Sequence, residues 1–203
     1  MSGPIGVAIL AFDDVEALDL AGPYEVFTTA SRMHGRAASA PGEPLFEVAC
    51  VARSTAAVRM RAGLRILPER SFEDPIDADL LIVPGGVVDA ALDCPQTLDW
   101  IARAGARASI SASVCTGAFL LAASGVLRDQ RVTTHWEDLQ DLQSRFPRLD
   151  VVSGPRWIDT GPIVSSAGIS AGIDMSLHLV ARLAGEALAL RTARQMDFAW
   201  TRD

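Results

Sequence analysis

Residues 5–12 form an almost unbroken apolar run, the pattern of a parallel strand covered on both faces. The run stops at Asp13-Asp14, and apolar positions then recur at helical spacing from Val15 to Phe27. Proline suits only the first turn of a helix, so Pro23 places Asp19 at or just before the helix start, at the carboxyl edge of the strand. The plain structural role for Asp19 there is an N-cap. Residues 32–44 lack periodicity and are rich in small side chains, which predicts a surface loop. A strand follows at 45–51, and residues 58–68 alternate around Gly63 as a short hairpin would. A second buried strand, 79–83, ends at Pro84-Gly85-Gly86, a turn whose backbone N–H groups are expected to lie free at the same edge.

The sharpest change of pattern falls within residues 108–125. Small and β-branched residues run as far as Val114, helix formers follow at once, and Gly125 suits a helix C-cap. Cys115 stands at the change. This reads as a nucleophile elbow, a strand-to-helix turn that projects its side chain from the sheet edge with a helix N-terminus behind it. Gly117 and Ala118 support that reading, because small residues there let the helix pack close to the strand. The setting predicts a lowered thiol pKa and makes Cys115 the first cysteine to be alkylated or oxidised. The alternative is an inert core cysteine.

Beyond the elbow, residues 131–134 read as a short strand with His135 and Trp136 at its end, and 137–146 as an amphipathic helix stopped by Pro147. Strand-like runs lie near Val151 and Trp157, and residues 162–183 give a strand, a glycine turn and a helix. A last helix is expected to reach about Trp200. Strands alternating with helices predict one α/β domain over residues 1–203, a doubly wound, mostly parallel sheet with helices on both faces. Asp19, Gly85, Gly86, Cys115 and His135 each follow a strand, so this topology brings them to one edge.

Composition narrows the function classes. The formal charge of −7, with no Lys or Arg block, argues against a nucleic-acid partner. Cys50, Cys94 and Cys115 form no paired motif, and an odd count fits a reducing compartment. With no membrane-length apolar run and no charged leader at Met1-Ser2-Gly3, the expectation is a cytoplasmic protein without membrane contact. No phosphate-binding glycine fingerprint follows the first strand, His34 and His178 lack metal-like partners, and no cofactor or metal is implied.

Five pieces together resemble the ThiJ/PfpI superfamily, the flavodoxin-like α/β fold of glutamine amidotransferases. They are residues 18–27, Val83-Pro84-Gly85-Gly86, residues 113–118, Thr133-Thr134-His135-Trp136 and residues 166–174. Within it, the pattern is similar to the isonitrile hydratase branch. The resemblance implies a small-molecule substrate, with Cys115 as nucleophile and Asp19 hydrogen-bonded to it. Thr116 stands where many relatives carry a histidine, which points away from proteolysis and glyoxalase-like chemistry. An aspartate and a threonine flanking the thiol fit hydration of an isocyanide to a formamide. On that reading Asp19 carries the proton, and Thr116, Gly85 and Gly86 bind substrate or water. His135 either orients water or is a structural histidine packed with Trp136. The same domain forms the sensor half of some AraC-type regulators, so a ligand or redox sensor is the alternative. The family also implies a homodimer with its interface near the active-site edge.

Overall fold

The computed structural model of the chain describes residues 3–37, 43–75 and 78–202. The chain begins with β1 (Ile5–Leu10), α1 (Ala17–Ala37) and β2 (Phe46–Ala52). Two short strands, β3 (Val58–Arg59) and β4 (Arg65–Ile66), precede β5 (Arg70–Ser71) and β6 (Leu80–Val83). Then come α2 (Asp89–Leu92), α3 (Pro95–Arg107), β7 (Ile110–Val114), α4 (Gly117–Ala123), β8 (Arg131–Val132) and α5 (Leu139–Arg145). The chain closes with β9 (Asp150–Val151), β10 (Trp157–Asp159), β11 (Ile163–Ser166), α6 (Ala171–Ala184) and α7 (Glu186–Gln195).

Seven strands form one sheet in the order β10-β11-β7-β6-β1-β2-β5, parallel throughout except for β10, which runs antiparallel to β11. The central strands β6 and β7 are buried along their whole length, as expected of strands covered on both faces. Helices α1, α6 and α7 pack together as one layer, and α2, α3 and α4 as another. Ile9, Leu10, Leu80, Leu81 and Ile82 are wholly buried, each contributing about 1.5–3 kcal/mol by removal from water. Most polar residues in this core have partners, as where Ser165 Oγ accepts the Thr133 N–H at 3.0 Å, whereas Ser113 Oγ is buried without one among the described residues. No helix among the described residues is long and apolar enough to cross a membrane.

The expected fold class therefore holds, with local corrections. Helix α1 starts at Ala17, so Pro23 lies well inside it rather than in its first turn. The tertiary structure sets that start: Val15 bridges to Gly86, and the Glu16 N–H donates to Gly85 O at 2.9 Å. The helix also runs on to Ala37 instead of yielding to a loop at residue 32, with His34 and Arg36 in its last turn, where cations meet the negative end of the dipole. Residues 38–42 of the expected loop lie outside the described residues. The strand before His135 is not part of the main sheet, since among the described residues β8 pairs with β9 alone, in a separate parallel ribbon. Helix α7 ends at Gln195, short of Trp200. The segment after it is held by Asp174, whose Oδ1 accepts the Thr201 N–H at 2.7 Å and whose Oδ2 accepts from Arg156 Nε at 2.8 Å.

Candidate active site

The elbow forms where the sequence pattern breaks. Cys115 has φ +55°, a left-handed conformation that is costly for a residue with a Cβ, and neighbouring groups hold it there. Its N–H donates to Ser166 O at 3.1 Å, and its carbonyl accepts the Thr134 hydroxyl at 2.7 Å. Gly117 lies so close to β6 that an added Cβ would overlap Val83 O. The close helix-to-strand packing inferred from small residues after the cysteine is thus realised.

Asp19 is the third residue of α1 and is fully buried, so it is not an N-cap. Its Oδ2 accepts the Gly85 N–H at 3.1 Å, across 66 residues of chain. Its Oδ1 is buried and has no hydrogen-bond partner among the described residues. Burial pushes the carboxyl up to about 7, with the Glu16 charge adding to the rise, while the Gly85 N–H and a contact with the Cys115 thiol oppose it.

The glycine turn departs from expectation. Gly85 N–H is taken by Asp19, and Gly86 N–H donates to Thr116 Oγ1 at 2.9 Å, so neither is left to bind substrate. The Thr116 hydroxyl in turn donates to Gly86 O at 2.9 Å. It clamps the turn from a residue that also lines the cavity beside Cys115. Gly85 is required by crowding, because a Cβ would come within 2.6 Å of Thr116 N, and Gly86 by its φ of +140°.

Cys115, Thr116, Gly86 and His135 line one cavity of about 390 Å³, and the buried Asp19 touches the thiol from outside that lining. The sequence brought His135 to this place for the wrong reason: it arrives on the loop after the separate ribbon. Its ring fits there because Gly168 has no side chain to displace it. Nδ1 accepts the Glu137 N–H at 3.4 Å and lies 3.4 Å from Asp138 Oδ2. Trp136 is largely exposed and its ring only tilts past His135, with centroids 5.7 Å apart. Sequence reading missed Glu16, Arg61, Asp138, Phe119 and Arg145, which also line the cavity. Arg61 is placed by its N–H, which donates to Val15 O at 3.0 Å and stitches the β3–β4 ribbon to the loop before α1. No sequence pattern signalled that contact, whereas Glu137-Asp138 beside His135 was a visible hint. Among the described residues no group of three or more His, Cys, Asp or Glu side chains is arranged to hold a metal ion.

The expected lowering of the Cys115 pKa is overturned. Burial pushes this thiol up to about 12, helped by the Asp19 and Asp138 charges, and the opposing Thr116 N–H is too weak to compensate. Cys50 is likewise buried and raised to about 12, with Glu69 adding to the effect of burial. Cys94 is different. It is partly exposed, and hydrogen bonds from Thr97, assisted by Arg53, hold its thiol below the ordinary range. With limiting iodoacetamide at neutral pH, peptide mapping should therefore find Cys94 labelled first. Preferential labelling of Cys115 would contradict this order.

The DJ-1/PfpI family profile matches residues 6–182. The isonitrile hydratase of Pseudomonas putida is 34% identical over 95% of this chain and 78% of its own length. The HTH-type transcriptional regulator CdhR of Pseudomonas aeruginosa is 31% identical over 66% of this chain, and that match spans only 39% of the regulator. A crystal structure of a THiJ/PfpI family protein from Pseudomonas syringae superposes with a TM-score of 0.83, covering 97% of this chain and 76% of that one at 29% identity. With a cysteine elbow, a buried partner aspartate and a profile match over most of its length, the chain belongs to the DJ-1/PfpI family.

Proposed function

We propose that the protein is a cysteine-dependent hydratase that adds water to an isocyanide and releases an N-substituted formamide. The observation that carries this reading is the buried Asp19 carboxyl, with Oδ1 unpartnered among the described residues, in contact with the Cys115 thiol that lines the cavity. Cys115 is protonated at rest, so Asp19 acts first as base. It takes the thiol proton as sulfur bonds to the isocyanide carbon, then delivers that proton to the same carbon, giving an enzyme-bound thioimidate. Water next bonds to the carbon while one of its protons goes to nitrogen. The carbon–sulfur bond breaks, sulfur recovers the other proton, and the formamide leaves. Thr116 contributes its N–H toward the sulfur and clamps Gly86 with its hydroxyl; Gly85 orients Asp19; His135 lines the same cavity, where it can orient the water.

Similarity to an isonitrile hydratase supports this reading, and similarity to part of a transcriptional regulator favours a ligand sensor as the second. Absorbance assays of wild type and Cys115→Ala on an aryl isocyanide separate them. Formamide formation that requires Cys115 is expected; saturable binding without turnover would favour the sensor. The same reading includes a homodimer in a cytoplasmic setting. Val87, Trp136 and Ile169 are exposed apolar residues in or beside the cavity mouth, suited to burial against a second copy. Light scattering should return the mass of two chains, and a monomer across micromolar concentrations would contradict it.

A further inference from the structure

We infer that the cavity selects substrates carrying a positive charge beyond the reacting group and rejects carboxylates; this rests on the hydratase reading of the same site. Seven charged side chains line the cavity, and acids outnumber arginines. Arg61 lies 3.7 Å from Glu16 Oε2 and is answered there. Arg145 Nε lies 3.1 Å from Asp141, and its guanidinium covers the Phe119 ring at 5.6 Å, so it too is engaged. Asp89, Glu137 and Asp138 remain without an arginine among the described residues, and only His135 Nδ1 stands near the last two, at 3.7 and 3.4 Å.

The region behind the sulfur adds to the same sign. Asp19 is buried behind the cavity lining in contact with the Cys115 thiol, and the Asp19 and Asp138 charges both act on that sulfur. A ligand carboxylate would enter a field of its own sign and find both arginines committed. A cation would be drawn to the mouth by Asp89 and Glu137 while its reacting end meets Cys115. Glu137 and Asp138 are partly open to solvent, so the preference should weaken with salt.

Three matched aryl isocyanides test this, with para aminomethyl, methyl or carboxylate substituents. At low salt kcat/KM for the cationic substrate should exceed that for the anionic one about tenfold or more, a ratio that falls as ionic strength rises. The Asp89→Asn/Glu137→Gln double variant should lower the ratio at least threefold. A ratio near one, or one favouring the carboxylate, overturns the inference. The neutral substrate separates the two readings, because failure to turn over any of the three removes the hydratase but not the charge selection. Calorimetric binding of benzylammonium and benzoate then decides. Tighter binding of benzylammonium sustains the inference; equal binding, tighter benzoate binding or no binding of either rejects it.

Discussion

Asp19→Asn lowers turnover of an aryl isocyanide by roughly 100- to 10,000-fold, the range by which positioned general acid–base groups accelerate reactions. The amide keeps the shape of the carboxylate and can still accept the Gly85 N–H, but it cannot take the thiol proton. The pH profile supplies a second signature. The competent pair has Asp19 ionised and Cys115 protonated, so kcat/KM rises as pH passes the Asp19 value of about 7 and holds until the thiol ionises near 12. In Asp19→Asn the rise near pH 7 disappears.

Stability moves the other way. The Asp19 carboxyl titrates near 7 when folded against an ordinary 3.8, so between those values the folded state keeps a proton that the unfolded chain has lost. Stability from this group is therefore present below about pH 4 and lost as pH rises through 7, by at most about 4 kcal/mol. Asn does not ionise, so the variant should melt several degrees above wild type at pH 8, with the gap closing toward pH 4. Activity within a few-fold of wild type would remove Asp19 from the chemistry.

The second large effect is on the fold. In Gly117→Ala the new methyl overlaps Val83 O and sits 2.9 Å from Pro84 O, both backbone atoms of or next to the central strand β6. Neither can swing aside as a flexible side chain would, so α4 must retreat. Overpacking of this kind costs about 3 kcal/mol or more, which lowers Tm by roughly 6–12 °C in a domain of this size. Turnover should fall with it, because retreat of α4 moves Cys115 off its position over Asp19, and a shift of about 1 Å can cost ~100-fold. Gly35→Ala is the contrast: beyond its own stretch of helix no described atom lies within 4 Å of its added Cβ, it is in α1, and it should melt at or slightly above wild type. Thermal unfolding followed by circular dichroism compares the two, and a Gly117→Ala protein melting within 2 °C of wild type would contradict the clash.

Local pattern carried the framework because the relevant physics is local. Small residues ending at Val114, Cys115 at the break and Gly117 behind it encode a turn between strand and helix, and buried apolar runs encode central parallel strands. Those features placed Asp19, the glycine turn and Cys115 at one edge. The state of the site was decided by contacts across long stretches of chain. Gly85 N–H meets Asp19 over 66 residues, so the glycine amides are engaged rather than free. Val15 meets Gly86, so α1 begins early and draws Asp19 inside instead of leaving it as a cap. The helix dipole behind Cys115 was legible, but the desolvation that outweighs it depends on everything packed around the sulfur. The excess negative charge at the mouth likewise exists only because a ribbon, a loop and α5 meet there. Sequence by itself determined the fold and brought Asp19, the glycine turn and Cys115 to one edge, since periodicity and turn chemistry act between near neighbours. Protonation, hydrogen-bond partners and the field at the cavity were left to the tertiary structure, because burial and Coulomb interactions depend on distance in space rather than along the chain.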